Sequence, residues 1–333
     1  MNTNTGLKPE VASSKKGNAS VLARFFSSGN TVVVLIALIL MVAVFSIMSP
    51  YFMSLKNFYA VGLTISVLGI VCIGQTLCIL VRGFDLSVGS ISGFCGIMVA
   101  YLTLHHTPYI VSVIIALVIG IFAGMLNGFL ITKAKINAFI TTLSFMSIYM
   151  GLVLIVSKGY AIMVPAKDFA FLGTSRVFGV PLPIIILLVL YVIFYFILKN
   201  TLFGRYVYCI GGNPDAARIA GLNVDRTVII VYTLSGLLAS FGGIILASRL
   251  GAAQTSAGLN YALDSVAAVV LGGTSLAGGL GNILGTLIGV TILGVLQNGL
   301  IMINMPSYYQ YVATGIVLIM AVLVQNINVK NSK

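Results

Sequence analysis

Few residues in this chain can do chemistry. Only 6 of its 333 residues are acidic. Two of them, Asp85 and Asp264, border long apolar runs, where a charge costs about 2.5–3.5 kcal/mol at the centre of a bilayer. Asp85 lies in Arg82-Gly-Phe-Asp85-Leu-Ser87-Val-Gly89, where one apolar run ends and the next begins. Asp85 or Ser87 can accept from the exposed N–H groups that open a helix. Arg82 can pair with Asp85 across the turn, and the turn itself can gate a pore. Asp264 precedes Leu271-Gly-Gly-Thr-Ser-Leu-Ala-Gly278-Gly279-Leu-Gly281, a glycine run with no Lys and no strand–turn–helix context, which excludes a phosphate loop. Gly281, Gly285 and Gly289 share one helix face and let backbones approach closely in lipid, so a tight intramembrane turn and a closely packed helix are expected.

A third cluster is Asn213-Pro214-Asp215-Ala216-Ala217-Arg218-Ile-Ala-Gly221. Asn213 suits an N-cap, Pro214 a first helical turn, Asp215 the positive end of the helix dipole and Gly221 a left-handed stop. A two-turn helix is marginal alone, so this one packs on its own bundle or in a partner's groove. Covalent and metal chemistry find no candidates: Cys72, Cys78, Cys95 and Cys209 form no C-x-x-C and have no His nearby, and no nucleophile–base–orienter set appears. No cofactor and no metal are expected.

The elements that must carry these clusters are apolar. The chain is 59% hydrophobic and 7% charged, against about 45–50% and 25% in soluble domains, and its mean hydropathy is +1.12. A span needs about 20 apolar residues. Runs of that kind lie at Thr31–Met48, Phe58–Val81, Leu86–Leu104, Tyr109–Thr132, Ala138–Ser157, Leu182–Leu198, Thr227–Ser248, Ala262–Leu271, Ile283–Asn304 and Tyr308–Gln325. The expectation is an all-α integral membrane protein of about ten transmembrane helices, the eighth short or broken. The net charge of +12 is dispersed at the ends of apolar runs, so it reports membrane orientation and not nucleic acid. With a cytoplasmic N-terminus, only Lys56, Lys158, Lys167, Arg176 and Arg249 of the 18 basic residues fall outside, and both termini fall inside.

Residues 1–30 then form a cytoplasmic tail, in which Val21, Leu22, Phe25 and Phe26 beside Arg24 suit an interfacial helix or an unstructured segment. Residues 31–326 form the transmembrane domain, with a cytoplasmic loop at 199–226, and residues 327–333 a second tail. Gly124-Met-Leu-Asn127-Gly128 matches Val295-Leu-Gln-Asn298-Gly299, and Asp85-Leu-Ser-Val-Gly89 matches Ser275-Leu-Ala-Gly-Gly279, an imperfect internal repeat or the chance similarity of a chain with 36 glycines. Gln75, Asn127, Asn137, Thr141, Gln297 and Asn298 are polar positions on apolar helices, serving either a translocation path or interhelical hydrogen bonds.

The segments GQTLCILVRGFDLSVGS, FGRYVYCIGGNPDAARIAGLNV, LDSVAAVVLGGTSLAGGLGNILGTLIG and SYYQYV, in order from about Phe58 to Gln325, resemble the permease subunits of bacterial ABC sugar importers of the ribose, xylose, arabinose and galactoside group. The resemblance implies a multi-pass protein of the inner (cytoplasmic) membrane. It pairs in the lipid with a second copy or a paralogous permease, binds a cytoplasmic ATP-binding subunit that alone hydrolyses ATP, and receives a monosaccharide from a periplasmic sugar-binding protein. Asn213 to Gly221 corresponds to the family's coupling helix. Arg82, Asp85, Ser87, Gly89, Asp264, Gly278 and Gly279 are read as gating or turn residues, and Lys167, Arg176 and Arg249 as docking residues for the binding protein. Two segments depart from the family: Arg82-Gly-Phe84-Asp85-Leu-Ser87 where it has Gly-Gly-Ile-Asp-Leu-Ser, and Ala262 where it has Glu. The rival reading is an ion-coupled secondary transporter of a small polar solute, built on Asp85 and Asp264.

Overall fold

The structure is a computed structural model, which describes residues 29–165, 168–306, 308–316 and 319. The helices are α1 (Gly29–Met48), α2 (Leu55–Leu80), α3 (Val88–Leu104), α4 (Tyr109–Thr132), α5 (Ala138–Ser157), α6 (Phe171–Thr174), α7 (Leu182–Asn200), α8 (Leu202–Gly212), α9 (Pro214–Ile219), α10 (Val224–Leu250), α11 (Tyr261–Leu271) and α12 (Ile283–Met302). Residues 308–316 are again helical. Among the described residues, α2, α4, α5, α7, α10 and α12 are long and apolar enough to cross a membrane, whereas α3 and α11 are shorter apolar helices. The first nine expected runs are therefore helices, with six of full spanning length. The tails at 1–28 and 327–333, with the interfacial segment at Val21–Phe26, lie outside the described residues.

Short polar caps set the helix starts. Asn137, Asn213, Asn223 and Asn282 each accept backbone N–H groups at the start of α5, α9, α10 and α12, and Ser54 does so for α2. Helices α2 and α10 form the centre. Every residue of α2 from Ile65 to Leu80 is buried. α4 shows how the layers are built: Ile110, Ile114, Val118, Phe122, Met125 and Phe129 form an exposed apolar stripe, while Ala116, Gly120, Gly124, Asn127 and Gly128 are buried. The buried stripe faces α10. A Cβ on Gly124 would collide with the carbonyl of Tyr232, and one on Gly236 with that of Gly120. Small residues supply the close packing that apolar lipid cannot drive, and the large ones are left for the hydrocarbon.

Two features depart from the sequence expectation. The segments that follow Lys158 and Arg249, two of the basic residues expected outside, are pinned together, with β1 (Ile162–Met163) pairing antiparallel to β4 (Ala252–Ala253) in the register Ile162↔Ala253. β2 (Arg176–Val177) and β3 (Val180–Pro181) make a second small pair. The cytoplasmic loop expected at 199–226 is instead largely helical and opens with α8. Thr201 caps it by accepting from the Gly204 N–H at 3.2 Å, and Gly204, Val207, Ile210 and Gly211 bury one face.

Candidate functional site

One end of the molecule carries α9. Asn213 Oδ1 accepts from the N–H groups of Asp215 and Ala216, both at 3.0 Å. The helix stops where Gly221 turns to φ +83° and its N–H donates to the Arg218 carbonyl at 3.0 Å. Only Ala217 is buried in the helix, and Ile219 is 88% exposed. The Arg218 guanidinium lies 3.8 Å from Asp215 and 3.6 Å from Asp225, and Lys133 on the α4–α5 connection pairs with Asp225 at 2.8 Å. Exposed pairs are worth about 0–1 kcal/mol each. They orient α9 against the bundle without locking it, and its outer face remains open.

Behind α9, three turns meet. The N–H of Gly279, in the α11–α12 turn, donates to the Leu80 carbonyl at the end of α2 at 2.9 Å. Gly211, at the end of α8, fits between them, since a Cβ there would strike the Leu80 oxygen and the Gly279 backbone. Tyr208 of α8 donates to the Gly281 carbonyl at 3.0 Å. Arg82 joins all three elements, though not as its neighbourhood in sequence implied. The guanidinium does not pair with Asp85. Its Nε donates to the Gly211 carbonyl at 2.6 Å, and the terminal nitrogen donates to the Gly212 carbonyl. These carbonyls close α8, where the helix dipole is negative and no next turn uses them, so a cation is favoured there. Arg82 holds this position with φ +65°, a backbone region suited to glycine.

Asp85 is fully buried, with its needs met by neutral donors. It accepts from the Ser87 N–H at 3.0 Å, the Ser87 hydroxyl at 2.6 Å and the Ser235 hydroxyl of α10 at 2.8 Å. Asn127 of α4 donates to the Ser87 oxygen at 2.8 Å, and the Tyr232 hydroxyl donates to the Phe84 carbonyl at 3.0 Å. Ser87 does not itself cap the helix; Asp85 accepts the Ser87 N–H in its place. The turn is thus riveted to α4 and α10. Beyond it, Gly89 abuts Gly258, since a Cβ on Gly89 would strike the Gly258 carbonyl.

Gly258 borders a cavity of about 400 Å³ whose lining includes Asn260, Asp264, Gln297, Gln310, Tyr311 and Thr314. It lies at the far end from α9, because α10 starts at the Asp225 cluster and runs its full length before the chain reaches Ser256. Of the expected path residues, only Gln297 lines this space. Asn298 is paired with Asn57 through bonds of 3.0 and 2.9 Å, Asn127 holds Ser87, and the exposed Asn137 caps α5. The Thr141 hydroxyl donates to the Asn137 carbonyl at 3.0 Å. Gln75 is fully buried in α2, and both atoms of its amide lack a partner. Of the docking candidates, Arg176 is exposed on β2 with its guanidinium 5.6 Å from the Tyr59 ring centroid, Arg249 is half-buried at the end of α10, and Lys167 lies outside the described residues. Sequence reasoning did not single out Tyr232, Ser235, Gly211, Gly212, Gln310, Tyr311 or Thr314. The Gly211-Gly212 pair ahead of the capped helix was the one local signal available. Among the described residues, no group of His, Cys, Asp or Glu could hold a metal ion.

This is a helical membrane bundle with a polar cavity at one end and a surface helix at the other, joined by interlocked turns. The chain belongs to the family described as branched-chain amino acid transport system / permease component, whose model matches residues 57–322. It is 42% identical to the ribose import permease protein of Escherichia coli K12 over 296 residues, covering 88% of this chain and 92% of the relative. It is likewise 42% identical to the ribose import permease protein of Bacillus subtilis over 290 residues, 86% and 90% of the two chains. The L-arabinose transport system permease protein of Escherichia coli K12 is 40% identical over 286 residues, 84% of this chain and 85% of the relative. No solved structure matches the chain.

Proposed function

We propose that this chain is the transmembrane subunit of an ATP-driven importer that carries a monosaccharide, a pentose or hexose, from a periplasmic binding protein into the cytoplasm. The observation that carries the reading is its similarity to ribose and arabinose import permeases over more than four-fifths of each chain. The permease resides in the bacterial inner membrane with about ten spans and both termini in the cytoplasm. It pairs with a second copy or a paralogous permease.

The structure supports a route for the work of ATP hydrolysis, performed in a separate subunit. α9 presents Asp215, Arg218 and Ile219 to that subunit's groove. Movement of α9 pulls on Gly211 and Gly212, and through Arg82 and Gly279 on the Asp85 and glycine turns. Gly89 passes the displacement to Gly258, the wall of the outer cavity. Each joint is a backbone contact or a short hydrogen bond, so the turns shift as linked bodies, as packed bistable elements do. On the outer face, Arg176 and Arg249, with Lys167, receive the binding protein.

Replacing Asp215 with Lys and Arg218 with Glu tests the assignment in the reconstituted complex. Stimulation of ATPase by the sugar-loaded binding protein should be lost while the permease stays folded. Unchanged stimulation and uptake would show that α9 does not dock the ATPase. Uptake driven by an ion gradient alone would favour the ion-coupled reading built on the two buried carboxylates.

A further inference from the structure

The outer cavity holds a buried acid that the fold does not use. Asp264 is 8% exposed, yet its carboxylate accepts one hydrogen bond, at 3.4 Å, from the Gln297 amide. Among the described residues no cation pairs with it. Asp85, buried completely, is the internal comparison: it accepts three bonds of 3.0 Å or less. A carboxylate held inside a protein needs compensation, and the place left open around Asp264 is the cavity of about 400 Å³. That volume is within the usual range of small-molecule sites, roughly 300–1,000 Å³. Its other polar side chains are amides and hydroxyls, among them Asn260, Gln297, Gln310, Tyr311 and Thr314. Among the described residues no Lys or Arg lines it, which disfavours an anionic solute, and a single carboxylate among neutral groups is a poor cage for a divalent cation, which takes six or more oxygens.

The ligand this chemistry fits is neutral and rich in hydroxyls. Two adjacent hydroxyls can each donate to one oxygen of Asp264, while the amides of Asn260, Gln297 and Gln310 both donate and accept. The phenol ring of Tyr311 offers an apolar face for the C–H side of a sugar ring. Resting on the importer reading above, we infer that this cavity is the permease's own monosaccharide site, with Asp264 as its principal hydroxyl acceptor. Its place beside Gly258 puts the site at the end of the α9–Arg82–Gly89 linkage, so loss of the sugar and movement of α9 are coupled events.

The experiment uses the permease assembled with its ATP-binding subunit in lipid nanodiscs and proteoliposomes. Thr314→Cys is introduced as a reporter in a Cys209→Ser background, because Cys209 is exposed and the other three cysteines are buried. Reaction with a water-soluble maleimide is timed with ribose, arabinose or sodium chloride at matched osmolarity. At least one of the two sugars should slow labelling twofold or more, and salt should not. In parallel, binding-protein-dependent uptake should fall about tenfold in Asp264→Ala and less in Asp264→Asn, with affinity for the binding protein unchanged. Labelling that neither sugar slows, together with normal uptake by Asp264→Ala, overturns the site. Labelling slowed by sodium chloride and not by sugar overturns it in favour of a cation. If wild-type uptake requires ATP while the site fails these tests, only the site is lost; if wild-type uptake needs no ATP, the importer reading falls first.

Discussion

Replacing Arg82 with Gly separates the mechanical role of that side chain from its structural one. The substitution removes both donations to Gly211 and Gly212. Hydrogen bonds to charged groups contribute about 1.5–3 kcal/mol when buried. Arg82 is exposed, so screening reduces the pair to about 1 kcal/mol. Against this, the φ of +65° at Arg82 costs an L-residue about 1–2 kcal/mol that glycine avoids. The two changes offset, and the melting temperature of the Gly variant should match that of the wild type. The linkage is affected differently: the arm keeps the Gly279–Leu80 joint and loses its tie to the Asp85 turn. Losing about 1 kcal/mol of coupling corresponds to about a fivefold effect. The assay is ATP hydrolysis by the complex in nanodiscs, with and without sugar-loaded binding protein. Stimulation should fall about fivefold in Arg82→Gly. Arg82→Lys should fall between the two, since it keeps the charge without the planar fork. Arg82→Ala should lose stimulation and also melt lower, because it keeps the strained backbone. Full stimulation in the Gly variant would refute the linkage.

Other consequences are as direct. Asn213→Ala removes two backbone caps from α9 and should cost that helix about 1 kcal/mol, read as a severalfold weaker association with the ATP-binding subunit at unchanged melting temperature. Gly236→Ala places a methyl against the Gly120 carbonyl and should lower stability by about 1–3 kcal/mol, whereas Gly151→Ala, with open space around it, should fall within about 0.5 kcal/mol; thermal unfolding in detergent compares them. Asp85→Ala strands the Ser87 and Ser235 donors at about 1–3 kcal/mol each and should destabilise far more than Asp264→Ala, whose acid has one weak partner; the same measurement ranks the two.

What could be read from the sequence follows from what the lipid demands. Runs such as Tyr109–Thr132 and Ala138–Ser157 coincide with α4 and α5 to the residue, because every backbone group in hydrocarbon must be satisfied within its own helix. The capped helix at Pro214–Ile219 was also legible, since caps and stops act within one turn. Long-range partners were not. Arg82 lies three residues from Asp85, yet it bonds carbonyls about 130 positions away, because the end of α8 presents oxygens that Asp85 does not need to share. The β1–β4 pair has two residues in each strand and no alternation to betray it. α8 was concealed by Arg205 and by glycines that read as a loop until its buried face is seen. The cavity draws Asp264, Gln297 and Tyr311 from three separate helices, and nothing in their spacing says that a turn acid, a polar helix position and an aromatic near the last helix share one space.

The central claim is tested most directly in proteoliposomes holding this permease and its ATP-binding subunit, with ribose or arabinose presented outside on the binding protein. Labelled sugar should accumulate when ATP is enclosed, and should not accumulate with a non-hydrolysable analogue or with a proton or sodium gradient alone. Accumulation driven by either gradient in the absence of ATP would contradict the account.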